Sequence, residues 1–147
     1  ASVPSTIEIV EQIEPVPTIL ADAGQLQQVV VNLVTNGAHA IGNAFGRVTV
    51  SLDEIADPAS ETGRMIRIRV ADTGCGMSRE VMHRIFEPFF TTKGVGEGTG
   101  LGLSVVHGIV TGQGGSIDVK STPGKGSEFI ILLPAHIVPA EDIAAVA

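Results

Sequence analysis

MIRIRVADTGCGM, residues 65–77, is the stretch from which the rest of the chain can be read. Ile66, Ile68, Val70 and Asp72 share one parity and Arg67 and Arg69 the other, the pattern of a strand with one face on a core and one in water. Asp72 therefore points the way the core points. The strand is expected over Met65 to Ala71, and it gives way at once to a turn with glycines at 74 and 76.

Upstream, Arg47 to Ile55 alternates in the same way, and the polar loop that follows, with Pro58 and Gly63, predicts that the two strands pair antiparallel. Further upstream, Leu26, Val29, Val30, Leu33, Val34, Ala38 and Ile41 repeat at helical spacing, with Asp22 and Gln25 placed as a capping box. Val29-Val30-Val31 taken alone prefers strand, so periodicity is set against propensity here. Ser5 to Ile13 reads as a strand, and Pro15 and Pro17 punctuate the link that follows. Downstream, Ser78 caps a short helix expected to reach about Ile85. A glycine-rich loop leads into a helix from about Leu101 to Thr111, and strands at Ser116 to Ser121 and Glu128 to Leu133 flank the turn at Pro123-Gly124. The order strand, helix, two strands, short helix, helix, two strands predicts a two-layer α/β sandwich: a mixed, mostly antiparallel sheet with helices on one face. Residues 1–134 form the expected domain and residues 135–147 a tail or linker.

Composition narrows the function classes. The chain has 147 residues with no Trp, no Tyr and five Phe, so its core is aliphatic and stacking platforms for nucleic acid are scarce. A formal charge of −7 and the absence of any Lys/Arg run speak against nucleic acid or an anionic membrane surface as a direct partner. The lone cysteine, Cys75, excludes an internal disulfide and fits a cytoplasmic setting. No stretch approaches the ~20 apolar residues of a membrane span.

Four places carry possible chemistry. Asn32 and Asn36 stand i, i+4 on the first helix and His39 follows three later, so all three lie on one stripe. Amide oxygens there suit a hard cation such as Mg²⁺, and a solvated polar face explains the same stripe. An ionised Asp72 only accepts hydrogen bonds and so suits the exocyclic amine of adenine, with Gly74 and Gly76 letting the backbone approach a flat base. An Asp opening a glycine-rich turn accounts for these residues too. Phe86 to Leu103, FEPFFTTKGVGEGTGLGL, sets rings and a lysine before a glycine loop that runs into a helix, an arrangement able to cradle phosphates on backbone amides. GKGSEF places Ser127 at the start of the last strand, where a hairpin turn suffices as an explanation.

In order, NLVTNGAHA, DTGCGM, FEPFFTTK, GEGTGLGL and GKGSEF resemble the N box, first glycine box, F box, second glycine box and final glycine motif of the catalytic domain of sensor histidine kinases, nearest to those of the nitrogen-regulation type. The resemblance spans roughly Asp22 to Pro134 and implies the Bergerat ATP-binding fold, shared with gyrase, MutL-type repair proteins and heat-shock chaperones. It implies ATP and Mg²⁺ as ligands. Asn36 would hold the metal, Asn32 would shape the same site, Asp72 would read the adenine amine, and Gly74 and Gly76 would flank the base. Gly98, Gly100 and Gly102 would wrap the phosphates, with Lys93 and His39 in contact with them. Ala40, Met77, Phe89, Phe90, Thr92, Thr99, Leu101, Leu103 and Ser127 complete the implied ATP-binding set.

The chain departs from the family pattern in places. Gly37 stands where alanine is usual, Ala40 where an aromatic ring is frequent, His39 where lysine or glutamine is frequent, and Ser127 where threonine is. Asn32 occupies the position at which ATPase relatives carry the glutamate that activates water, so efficient hydrolysis is not expected. The resemblance implies phosphoryl transfer to a histidine on a separate dimerisation and phosphoacceptor domain, with a response regulator or receiver domain downstream. None of His39, His83, His107 and His136 sits in a motif resembling the phosphoacceptor helix. A gyrase-like ATPase module, an interaction module without nucleotide, and a protein-serine kinase on the same fold are the competing readings.

Overall fold

The computed structural model describes residues 5–14, 23–59, 63–90 and 102–135. The elements are β1 (Ile7–Ile13), α1 (Ala23–Ile41), β2 (Gly46–Ala56), β3 (Arg64–Asp72), α2 (Arg79–Met82), α3 (Gly102–Gly112), β4 (Ser116–Thr122) and β5 (Gly126–Pro134). They form a five-stranded sheet of order β1-β2-β3-β5-β4. Only β1 and β2 run parallel; β2 with β3, β3 with β5, and β4 with β5 are antiparallel. The helix between β1 and β2 is what allows their parallel pairing.

Directly paired residues fall on one face of a sheet, so the register sorts the side chains. One face carries the rows Val50–Val70–Phe129–Val119, Leu52–Ile68–Ile131–Ile117 and Ile66–Leu133. Helix α1 packs against β2, β3 and β5 on this face, α3 packs against β4, and the two helices pack against each other. Val29, Leu33, Val106, Val110, Ile66, Ile131 and Leu133 are all 2% exposed or less, and they mark the centre of the core. Burying each such side chain is worth about 1.5–3 kcal/mol, far more than the few tenths by which valine disfavours a helix. The Val29-Val30-Val31 run is therefore helical: Val29 is fully buried and Val31 faces outward.

The opposite face of the sheet is polar. Arg67 and Arg69 project there, as their parity predicts, and meet Asp53 from β2. Helix α2 is shorter than expected. Ser78 caps it, its Oγ accepting from the Val81 amide at 3.2 Å, but beyond Met82 the chain tightens into successive turns, with Arg84 N–H donating to Val81 O at 2.9 Å and Glu87 N–H to Arg84 O at 3.0 Å. These turns bring Ile85, Phe86 and Phe90 to the core. Ala135 is buried and donates its N–H to Arg64 O, continuing the β5 edge by one residue. The remainder of the expected tail, and Asp22 of the expected capping box, lie outside the described residues. Among the described residues no helix is long and apolar enough to cross a membrane.

Candidate functional site

At one end of the sheet the core face turns polar. The row Val48–Asp72–Ser127–Ser121 crosses β2, β3, β5 and β4, and in the last three of these strands an apolar series of one parity ends in a polar side chain. Asp72 therefore faces the helices, as its parity predicts, and lies half-buried beside α1. Its Oδ1 accepts from the Gly74 amide at 2.9 Å. Burial pushes its carboxyl above the ordinary value of 3.8, while the Gly74 and Ser127 amides pull it down. Among the described residues no cation forms a salt bridge with it.

The loop after β3 has no regular structure, so its backbone groups find partners one by one. Thr73 N–H donates to Arg47 O at 3.1 Å, Cys75 N–H to Ala40 O at 3.1 Å, and Cys75 O accepts from Gly124 N–H at 2.7 Å. Met77 N–H donates to Ser121 Oγ at 2.7 Å. A side chain at Gly74 would meet Ala40 Cβ at 2.6 Å, and Gly76, at φ 71°, would drive one into the Thr122 carbonyl. Both glycines thus have an internal reason to be glycine: they seat the loop on the end of α1 and on the β4–β5 turn. Gly37 of α1 has one as well. A Cβ there would stand 3.1 Å from Asp72 Cβ and 3.3 Å from Val48 Cγ2, so the missing methyl lets α1 lie close to the strand end that carries Asp72.

Asn32 and Asn36 are half-buried on α1 and His39 is exposed, all on the stripe expected of them. Ala40 is half-buried and supports the loop through its carbonyl. Met77 and Leu103 pack partly buried against the core, and Gly102 opens α3. Phe89 and Phe90 separate: Phe89 is 73% exposed at φ 66°, whereas Phe90 packs against the core beneath the Arg84 guanidinium, 4.5 Å from its ring centroid. A non-glycine residue at positive φ is uncommon, and here it reverses the chain between the two rings. His107 is exposed, its ring 5.3 Å from that of Phe86. Thr92, Lys93, Gly98, Thr99, Gly100 and Leu101 lie outside the described residues.

Ser127 is buried, its Oγ 2.8 Å from Ser121 Oγ. Sequence reasoning singled out Ser127 and passed over Ser121. The available signal was parity: Ile117, Val119 and Ser121 alternate toward the core just as Ile68, Val70 and Asp72 do.

What the arrangement offers is a half-buried acceptor at a strand end, a loop seated beside it on α1 and the β4–β5 turn, and two amides on the flanking helix. The model of the histidine kinase-, DNA gyrase B- and HSP90-like ATPase family matches residues 21–137. The chain belongs to this family. Sensor histidine kinase ZraS of Klebsiella oxytoca is 47% identical to this ATPase-family domain over 118 residues, covering 80% of the chain and 24% of that protein. Sensor kinase CckA of Brucella abortus is 43% identical over 129 residues, covering 81% of the chain and 13% of that protein. The chain thus spans about a quarter or less of the length of these curated relatives. Among solved structures, the mycobacterial sensor histidine kinase MprB matches with a TM-score of 0.75 at 29% identity, covering 91% of the chain and 85% of that one. Full-length ShkA in complex with AMPPNP matches with a TM-score of 0.74 at 35% identity, covering 91% of the chain and 27% of that one. The expected ATP-binding sandwich is the fold of this domain, and its likeness is to the catalytic part of sensor histidine kinases.

Proposed function

We propose that this domain binds Mg-ATP and donates the γ-phosphate to a histidine on a separate dimerisation and phosphoacceptor domain, in two-component signal transduction. The observation that carries the reading is Asp72: an acceptor held at the core end of β3, with one oxygen fixed by the Gly74 amide and no ion-pair partner among the described residues. A carboxylate so placed is an unfavourable choice for stability alone, and it suits the adenine amine. The flanking loop, seated on Ala40 and on the β4–β5 turn, would form the wall against the base.

Asn36 and Asn32, half-buried on α1, are the side chains that would face the phosphates. Mg²⁺, when bound, would neutralise charge on the phosphate oxygens, and the Asn36 amide oxygen is the ligand this chain would offer it. Lys93, His39 and the glycines at 98, 100 and 102 are the proposed phosphate contacts. Asn32 cannot act as a base, so water is not activated at the position where ATPase relatives do so. Catalysis is positional: an imidazole nitrogen supplied by the phosphoacceptor domain attacks the γ-phosphorus in line, the bond to the β–γ bridging oxygen breaks, and ADP leaves. A response regulator or receiver domain would take the phosphate onward.

Thermal melts with ATP or ADP, with and without Mg²⁺, test the reading. Nucleotide at about 100 times its dissociation constant should stabilise the domain by ~2.7 kcal/mol. No shift at millimolar nucleotide, with or without Mg²⁺, would overturn it and bring the interaction-module reading forward.

A further inference from the structure

Ser121 lies at the end of β4, outside every motif of the family resemblance, yet its hydroxyl is the meeting point of three segments. Its Oγ accepts the Met77 amide at 2.7 Å, across 44 residues of sequence. It stands 2.8 Å from Ser127 Oγ and 3.1 Å from the Gly126 carbonyl. One proton arrangement satisfies every group: Ser121 donates to Gly126 O while accepting from Met77 N–H and from the Ser127 hydroxyl. Ser127 is in turn the direct cross-strand partner of Asp72, and its amide acts on the Asp72 carboxylate. Asp72, Ser127 and Ser121 thus form one continuous polar row on the core face, and the far end of that row holds the loop that walls the site.

Among the described residues, two loop amides are held by side chains from outside the loop: Gly74 by Asp72 and Met77 by Ser121, the latter from β4. Thr73 and Cys75 donate to backbone carbonyls, and Gly74 donates to Asp72 itself. Gly76 at positive φ turns the chain so that the Met77 amide reaches β4, and Gly126, also at positive φ, brings the hairpin against the Asp72 carbonyl. The Ser121 oxygen thus joins the Thr73, Gly74 and Cys75 bonds in setting the spacing between the wall of the site and the acceptor on its floor.

We propose that Ser121 is a positioning residue for base recognition: through the Met77 amide and the Ser127 hydroxyl it fixes the loop at the distance from Asp72 at which a 6-amino purine is accepted. This rests on the reading of Asp72 as the acceptor for the adenine amine. A staple that served only the stability of the hairpin would weaken all nucleotides alike on removal. A positioning role weakens most the nucleotide whose amine must meet Asp72.

The experiment measures dissociation constants of the whole chain for ATP and for purine riboside triphosphate, which lacks the amine, by calorimetry. In Ser121→Ala the ratio of the two constants should shrink roughly 5-fold, the worth of about one hydrogen bond, chiefly through weaker ATP binding. Ser121→Thr, which keeps the hydroxyl, should hold the native ratio. An unchanged ratio in Ser121→Ala, or equal ratios in the Ala and Thr variants, would overturn the role. Asp72→Asn separates the two layers: loss of discrimination there with none in Ser121→Ala removes Ser121 alone, whereas native discrimination in Asp72→Asn removes the reading of Asp72 and the role of Ser121 with it. Should Ser121→Ala not fold, Ser121→Cys, a weak acceptor, is measured against the same criterion.

Discussion

Asp53 and Asp72 sit on neighbouring strands of one sheet, on opposite faces. Asp53, on β2, projects from the polar face, where the Arg67 guanidinium grips it with two bonds of 2.9 and 2.6 Å and Arg69 stands 3.6 Å away. The hydrogen bonds from Arg67 hold its carboxyl below the ordinary value of 3.8, with the charges of Arg67 and Arg69 reinforcing the shift against partial burial. Asp72, on β3, projects toward the core, where burial pushes its carboxyl up and only backbone amides oppose the rise. One carboxylate is settled by the fold that carries it. The other is a cost to that fold, and its remaining acceptor capacity is what the proposed function assigns to the adenine amine.

Three measurements sharpen or break this contrast. The largest effect is expected in binding: Asp72→Asn should lower ATP affinity about 10- to 100-fold, the worth of a charge-assisted hydrogen bond, while Asp53→Asn leaves it roughly unchanged. Calorimetric titration checks both, and comparable losses in the two variants would erase the distinction. Next comes stability without ligand. Asp53→Ala should cost about 1 kcal/mol in urea unfolding, because Arg67 and Arg69 are left facing each other without their shared partner. Asp72→Asn, whose amide oxygen can still accept from Gly74 N–H, should be as stable as the native chain at neutral pH or more so. A marked loss there would mean that the Asp72 charge serves the fold.

The smallest effect is in pH dependence, where the two should differ in sign. Asp53 has a lowered folded value, so its contribution is present above 3.8 and is lost as the pH falls through that lower value. Asp72 has a raised folded value, so its contribution is full below 3.8 and is lost as the pH rises through that higher value. Melting temperatures from pH 3 to pH 7 should therefore show Asp53→Asn falling behind the native chain as pH rises and Asp72→Asn gaining on it. Parallel curves for the two variants would contradict the assignment of their environments.

Much of this was legible in the chain before folding was considered. Alternation in residues 65–72 placed Asp72 on the core side and the arginines on the other, and helical spacing overruled the strand preference of Val29 to Val31, because periodicity reports which side chains are buried and burial outweighs propensity. The stripe of Asn32, Asn36 and His39 followed from the same spacing. What local sequence could not show was the end of α2. Whether a helix continues past Met82 depends on where Ile85, Phe86 and Phe90 find core to pack against, and that core is built from distant strands. Nor could it show why Gly74 and Gly76 are glycines. Read alone they offer an approach to a flat base, while the fold adds Ala40 and the Thr122 carbonyl pressed against them.

The sequence by itself determined the order of elements and the face that β3 turns to the core, because these are written in spacing over a few residues, and its resemblance implied the family and most of the side chains proposed to meet the nucleotide. Tertiary structure alone decided which of those side chains stand in one row. Asp72, Ser127 and Ser121 come together only through the registers of β3 with β5 and β5 with β4, and register is fixed by long-range pairing. The polar end of three separate apolar series thereby becomes one connected row.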